Sequence, residues 1–88
     1  MKSIFMFCGF SLFSFSAFAE PRCTDVPKSQ WKSESEFQEK MKAEGYKIKK
    51  FKVTKSNCYE IYGWGKDGKK VEIYFNPSTF EAVESKTW

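Results

Sequence analysis

The sequence predicts an α+β domain in which one N-terminal amphipathic helix packs on a three- to four-stranded antiparallel sheet. Three observations lead there. A helix-start motif opens a stretch of helical period at Ser33, the apolar pattern changes to alternation after Gly45, and turn residues then divide the rest of the chain into strand-length pieces. The 88 residues allow one small domain. Its expected limits are 33–88, preceded by a lead-in over 20–32 and a segment of different character over 1–19.

The first nineteen residues read as a cleaved export signal. Lys2 is the only charge before Glu20, an apolar run rich in phenylalanine follows from Ile4, and Ala17-Phe18-Ala19 supplies small residues at the −3 and −1 positions of a cleavage site. A membrane anchor is the competing reading, but the run is short for a hydrocarbon core roughly 30 Å thick and is interrupted by Gly9, Ser11, Ser14 and Ser16. Lipidation at Cys8 is disfavoured because Phe5-Met6-Phe7 lacks the small residues that normally precede such a cysteine. The mature chain then begins at Glu20, is periplasmic or secreted, and has no stable membrane insertion. Six of the ten phenylalanines belong to this segment, so much of the chain's apolar content is expected to leave with it.

Export changes how the cysteines read. Cys23 and Cys58 remain as an even pair in an oxidising compartment, where a structural disulfide is expected. They lie 35 positions apart, and neither forms a CxxC motif nor opens a helix, which argues against redox chemistry. Such a bridge would contribute roughly 3 to 4 kcal/mol and pin the Pro21- and Pro27-containing lead-in.

Each later element has its own signal. Ser33-Glu34-Ser35-Glu36 matches a capping box, in which the Ser33 hydroxyl accepts from the Glu36 amide and the Glu36 carboxylate reaches back. Acids lie early, Lys40 and Lys42 late, and Gly45 follows as a left-handed cap, so the helix should run from Ser33 to Glu44 with Phe37 and Met41 on its apolar face and Trp31 over its start. In the first strand Tyr46 and Ile48 are out of phase with Phe51 and Val53, which predicts a bulge near Lys49-Lys50. Lys55-Ser56-Asn57 reads as a turn, Cys58 to Trp64 as a second strand, Gly65-Lys66-Asp67-Gly68 as a hairpin turn and Lys70 to Phe75 as a third strand. Pro77 ends that strand, and Ala82 to Glu84 is expected to return as a short edge strand.

From Cys23 to about Glu84 the chain resembles the small exported PepSY domain proteins, specifically a short group with a cysteine and a tryptophan before the helix. The likeness rests on Cys23-Thr24 with Trp31, Ala43-Glu44-Gly45-Tyr46-Lys47-Ile48, Cys58-Tyr59-Glu60-Ile61-Tyr62, and Asp67 to Phe75 followed by Asn76-Pro77-Ser78-Thr79. Two positions depart from the pattern, which usually has Asp-Pro-x-Thr-Gly after the last strand: Asn76 replaces the acid and Phe80 the glycine. Phe80 therefore implies either a turn of different geometry or a side chain recruited to cover the sheet edge. PepSY domains occur in the propeptides of thermolysin-like metallopeptidases, where they can inhibit and assist folding, and as free-standing exported or membrane-attached modules. The resemblance carries over no catalytic residues.

The chemistry available is narrow. The chain has no histidine, which removes His-based triads, His-ligated metals and the usual haem attachments. Glu60 and Glu72 could neighbour one another across the hairpin, but their positions among Lys66, Lys69 and Lys70 suggest solvated lysine partners rather than acid–base catalysis. Asp67 and Asn76 supply too few oxygen ligands for calcium, and no cofactor is expected. Lys47, Lys49, Lys50 and Lys52 form a basic strand that reads first as a soluble edge and second as a contact for an acidic protein or an anionic membrane surface; export argues against nucleic acid. If Ile61 faces the helix, Tyr62, Trp64 and Tyr74 gather on the opposite sheet face, as a protein-binding surface, as cross-strand support or as a face covered by the disulfide-held N-terminal segment. The sequence thus points to a non-enzymatic binding module that modulates or inhibits an envelope or secreted peptidase. An accessory protein docking to an envelope cytochrome or sensor is the alternative.

Overall fold

A computed structural model describes residues 20–88; the export signal expected over 1–19 lies outside them. The chain is α+β. Helix α1 (Glu34–Ala43) precedes strands β1 (Lys47–Val53), β2 (Tyr59–Trp64), β3 (Lys70–Phe75) and β4 (Ala82–Thr87), which pair antiparallel in chain order.

The helix begins and ends on its own sequence signals. Ser33 Oγ accepts from the Glu36 amide at 3.0 Å, which is the forward half of the capping box. The reciprocal bond to the Glu36 carboxylate does not form. At the other end Gly45 takes φ 99°, its amide bonds the Lys42 carbonyl and the Tyr46 amide bonds the Met41 carbonyl, the paired bonds of a Schellman cap. Only Phe37 and Met41 of the ten residues are buried, so the helix is attached to the sheet through this one pair.

The phase break in β1 is a bulge. Ile48 pairs with Gly63 and Lys50 with Tyr62, leaving Lys49 extra. Ile48, Phe51 and Val53 are thereby brought onto one face. Gly63 makes this possible, because a Cβ there would run into the Lys47 carbonyl oxygen. The core lies between this inner face and α1: Phe37 and Met41 meet Tyr59, Ile61, Val71, Ile73, Phe75 and Phe80. Phe37 is fully buried, with its ring 5.0–5.8 Å from those of Phe51, Tyr59, Phe75 and Phe80. The lead-in closes one end. Trp31 stands edge-on to Tyr59, the Tyr59 hydroxyl donates to the Lys32 carbonyl, and the Lys32 amide bonds the Pro77 carbonyl.

The two departures from the family pattern in the β3–β4 turn have a physical resolution. Asn76 Oδ1 accepts from the Ser78 amide and hydroxyl at 2.8 and 2.7 Å, an Asx turn that an aspartate would also make. Phe80 adopts φ 71°, the left-handed conformation that glycine would take there, and its ring packs on Phe37 with the Lys32 ammonium 5.0 Å above it. The backbone geometry is therefore the glycine-like one, and the side chain is recruited to the core. The last strand exceeds the expected Ala82–Glu84 and runs to Thr87, with reciprocal bonds between Lys70 and Trp88 beyond it. Most of its residues are exposed, so no alternation of apolar residues marks its length.

Candidate functional site

The outer face of the sheet carries the unusual chemistry, and the strand registers determine its layout. Lys47, Lys50 and Lys52 on β1 lie opposite Trp64, Tyr62 and Glu60 on β2. Glu60 and Tyr62 in turn lie opposite Tyr74 and Glu72 on β3, which face Glu84 and Lys86 on β4. The registers thus bring the basic strand and the aromatic set onto one face, while Lys49 sits at the bulge beside them.

The lead-in covers one half of that face. Cys23 and Cys58 form a disulfide, the Cys23 amide bonds the Ser56 carbonyl at 3.1 Å, and the Pro21 carbonyl oxygen lies 3.2 Å from Cys58 Sγ. The Asn57 side-chain amide adds a bond to the Thr24 carbonyl, from a residue at φ 64°. Tyr74 is buried with the disulfide in this second, smaller core, so of the three aromatics expected on an open face it is not available. Burial, with the charges of Glu60 and Glu72 beside it, holds the Tyr74 hydroxyl above the ordinary tyrosine range. That hydroxyl donates to Glu72 Oε2 at 3.2 Å.

Glu60 also departs from expectation. Instead of a solvated lysine partner it is a buried residue, 6% exposed, with Lys52 Nζ 3.7 Å from an Oε1 that has no hydrogen-bond partner. Local alternation places Glu60 away from the main core, but the disulfide-held lead-in shelters that side as well. Burial foremost, then a hydrogen bond with the Glu72 carboxyl, push it up to about 7 from the usual 4.5; Lys52 opposes this, and the charges of Glu72 and Glu20 add to it. Glu60 and Glu72 lie diagonally across the β2–β3 pair, where the Glu72 charge disfavours ionising Glu60.

The raised carboxyl makes stability depend on pH. The folded chain holds the proton more tightly than the unfolded chain, so this contribution is complete below about 4.5 and is lost as pH rises to about 7. Glu60→Gln, which keeps an amide donor for Glu72 at every pH, should flatten that decline and be more stable than wild type at pH 8 by about 1 to 2 kcal/mol. Urea unfolding of both proteins at pH 5 and pH 8 checks it; parallel losses in the two would show that Glu60 is not the group responsible.

The other half of the outer face is open. A groove of about 410 Å³ is lined by Lys49, Lys50, Lys52, Glu60, Tyr62 and Glu72. Lys47, Lys49 and Lys50 form no ion pair among the described residues. Tyr62 stacks obliquely on Trp88 at 6.2 Å, and Trp88 is 57% exposed, with Trp64 partly exposed nearby on the same face. Trp88 had no sequence signal as a member of this face, since only the full length of β4 brings it opposite Lys70. Asp67 and Asn76 fall at opposite ends of β3 and are occupied in their own turns, where Asp67 Oδ1 accepts from the Lys69 amide. Among the described residues no three acidic or cysteine side chains converge as a metal set, and no helix is long and apolar enough to cross a membrane.

No curated protein and no solved structure matches the chain. A family model does, over residues 3–86, nearly the whole length. With the helix, four-stranded sheet and intervening turns in the order the resemblance requires, the chain belongs to the PepSY_2 family, peptidase propeptide and YPEB domain.

Proposed function

We propose that this protein is an exported, non-catalytic PepSY module that binds an envelope or secreted protein, foremost a peptidase, through the open half of its outer sheet face. The family supplies the peptidase connection, because PepSY_2 domains are described as peptidase propeptide domains. The observation that carries the binding reading is the groove, where lysines without ion partners lie beside Tyr62 and in line with Trp64 and Trp88. Aromatic rings bury large area at low entropy cost, and unpaired lysines favour a partner with an acidic segment.

The processed protein should retain a specific partner from envelope extract. Tyr62→Ala with Trp88→Ala should weaken that binding by tenfold or more while leaving the thermal melt nearly unchanged, since neither ring belongs to the core. Retention at wild-type affinity would show that this face is the wrong one. Assay of the recovered partner for peptidase activity, with and without the module, tests inhibition separately.

A further inference from the structure

Glu60 is a buried acid whose Oε1 has no hydrogen-bond partner among the described residues and whose ion pair with Lys52 is long. The groups facing it are Lys52 and Lys50 from β1, Glu72 and Tyr74 from β3, with Glu84 and Lys86 behind them on β4, and Glu20 from the lead-in. Lys52 approaches only to 3.7 Å from an exposed position, the Tyr74 hydroxyl is committed to Glu72, and Glu60 Oε1 has no donor although it is buried. Burying an acid in this way is costly unless a charged donor arrives.

The lead-in is positioned to bring one. The disulfide, the Cys23–Ser56 backbone bond and the Pro21–Cys58 approach fix the chain directly after Glu20 over Tyr74, and Tyr74 is the register partner of Glu60. The Glu20 side chain already acts on both Glu60 and Tyr74. While Ala19 is joined to it, the Glu20 nitrogen is a neutral amide and the residue contributes only negative charge. Hydrolysis of the Ala19–Glu20 bond adds water across it, leaving a carboxylate on the departing segment and an α-ammonium, with three N–H donors, on Glu20.

We infer that the α-ammonium released at Glu20 by signal cleavage is the counterion of the buried Glu60 and its half-buried neighbour Glu72, so that the outer face is electrostatically complete only in the processed protein. This rests on the export reading, which a mass measurement tests independently of the titration. It gives cleavage a structural consequence: removing the signal also converts like-charge crowding at this site into an ion pair.

The full chain, exported and purified after processing, serves for the experiment. Its mass should correspond to a start at Glu20; a different start would overturn the inference. One portion is carbamylated with cyanate at neutral pH, which favours the α-amine over lysines, and both portions are titrated by NMR. Glu60 should titrate near 7 in the blocked protein and at least one pH unit lower in the unblocked protein. The α-ammonium should titrate above its ordinary 7.7–8.0 and return to that range in Glu60→Gln or, if that variant folds poorly, in Glu72→Gln. An α-amine at its ordinary value in the processed protein, with a Glu60 midpoint indifferent to carbamylation, would overturn the assignment.

Discussion

Replacing Cys23 and Cys58 together by alanine should lower the unfolding free energy by about 4 kcal/mol. The bridge closes a loop of 35 residues, and the chain-entropy argument assigns about that much to a loop of this size. A domain of about 69 residues buries a smaller fraction of its surface than a larger one does, and natural domains are stable by only about 5 to 15 kcal/mol in total, so the loss is a large share of what is available. The effect also has a location. Without the bridge the lead-in loses its main tether, Tyr74 loses the cover of its small core, and water reaches Glu60. The double variant should therefore be less stable, and its stability should no longer fall between pH 4.5 and 7, because a hydrated Glu60 returns toward its ordinary range. Urea unfolding across that window, with and without reductant on the wild type, measures both. A shift below about 1 kcal/mol, or a pH slope unchanged in the variant, would mean that the lead-in holds its place by other contacts.

This coupling explains which features the sequence disclosed and which it concealed. Features determined by neighbours in the chain were readable. Ser33 and Gly45 mark the helix ends through bonds to residues three to five positions away, and the β1 bulge shows in the phase of Ile48 against Phe51 because strand period is a local property. Features determined by what lands on a surface from elsewhere were not. Glu60 alternates correctly away from Ile61, which ordinarily means water; only the returning lead-in, more than thirty residues earlier, makes it buried. Tyr74 is covered by the same segment; the cysteine pair made such a cover one of the alternatives, but not which aromatic it would reach.

Gly63 and Phe80 illustrate a different limit. In the chain Gly63 is an unremarkable strand glycine, yet the bulge on the neighbouring strand presses a carbonyl into the space where a Cβ would be. Phe80 stands where glycine is usual in the family pattern, and local rules offer a changed turn or a recruited ring as alternatives. The fold keeps the left-handed backbone and takes the ring as well, which packs 5.1 Å from that of the fully buried Phe37. Left-handed strain of order 1 to 3 kcal/mol is offset by burying an aromatic side chain, worth a comparable amount. The candidate site divides along the same line: its lysines and aromatics were visible as a set, whereas the cover over Tyr74 and the burial of Glu60 at the edge of the groove depend on long-range contacts.

Phe37→Ala should be as damaging as loss of the disulfide, costing about 3 to 5 kcal/mol. The ring is fully buried among four other aromatic rings, none of which can move into its space without leaving its own strand or turn. The consequence extends to the helix, since a ten-residue helix is not stable alone in water and Met41 would be its only remaining buried anchor. Far-ultraviolet circular dichroism should show helical signal lost at lower temperature than sheet signal, while Phe37→Leu, which refills much of the volume, should retain a single transition. A cost below about 1 kcal/mol would contradict the hub role. The two largest effects should also add. Phe37 packs on the inner face and the disulfide on the outer, with the sheet between them and different core clusters around them, so a Phe37→Leu, Cys23→Ala, Cys58→Ala protein should lose the sum of the separate costs to within about 0.5 kcal/mol. A larger discrepancy would show that the sheet transmits packing strain from one face to the other, and that the lead-in helps to hold the helix as well as the acid pair.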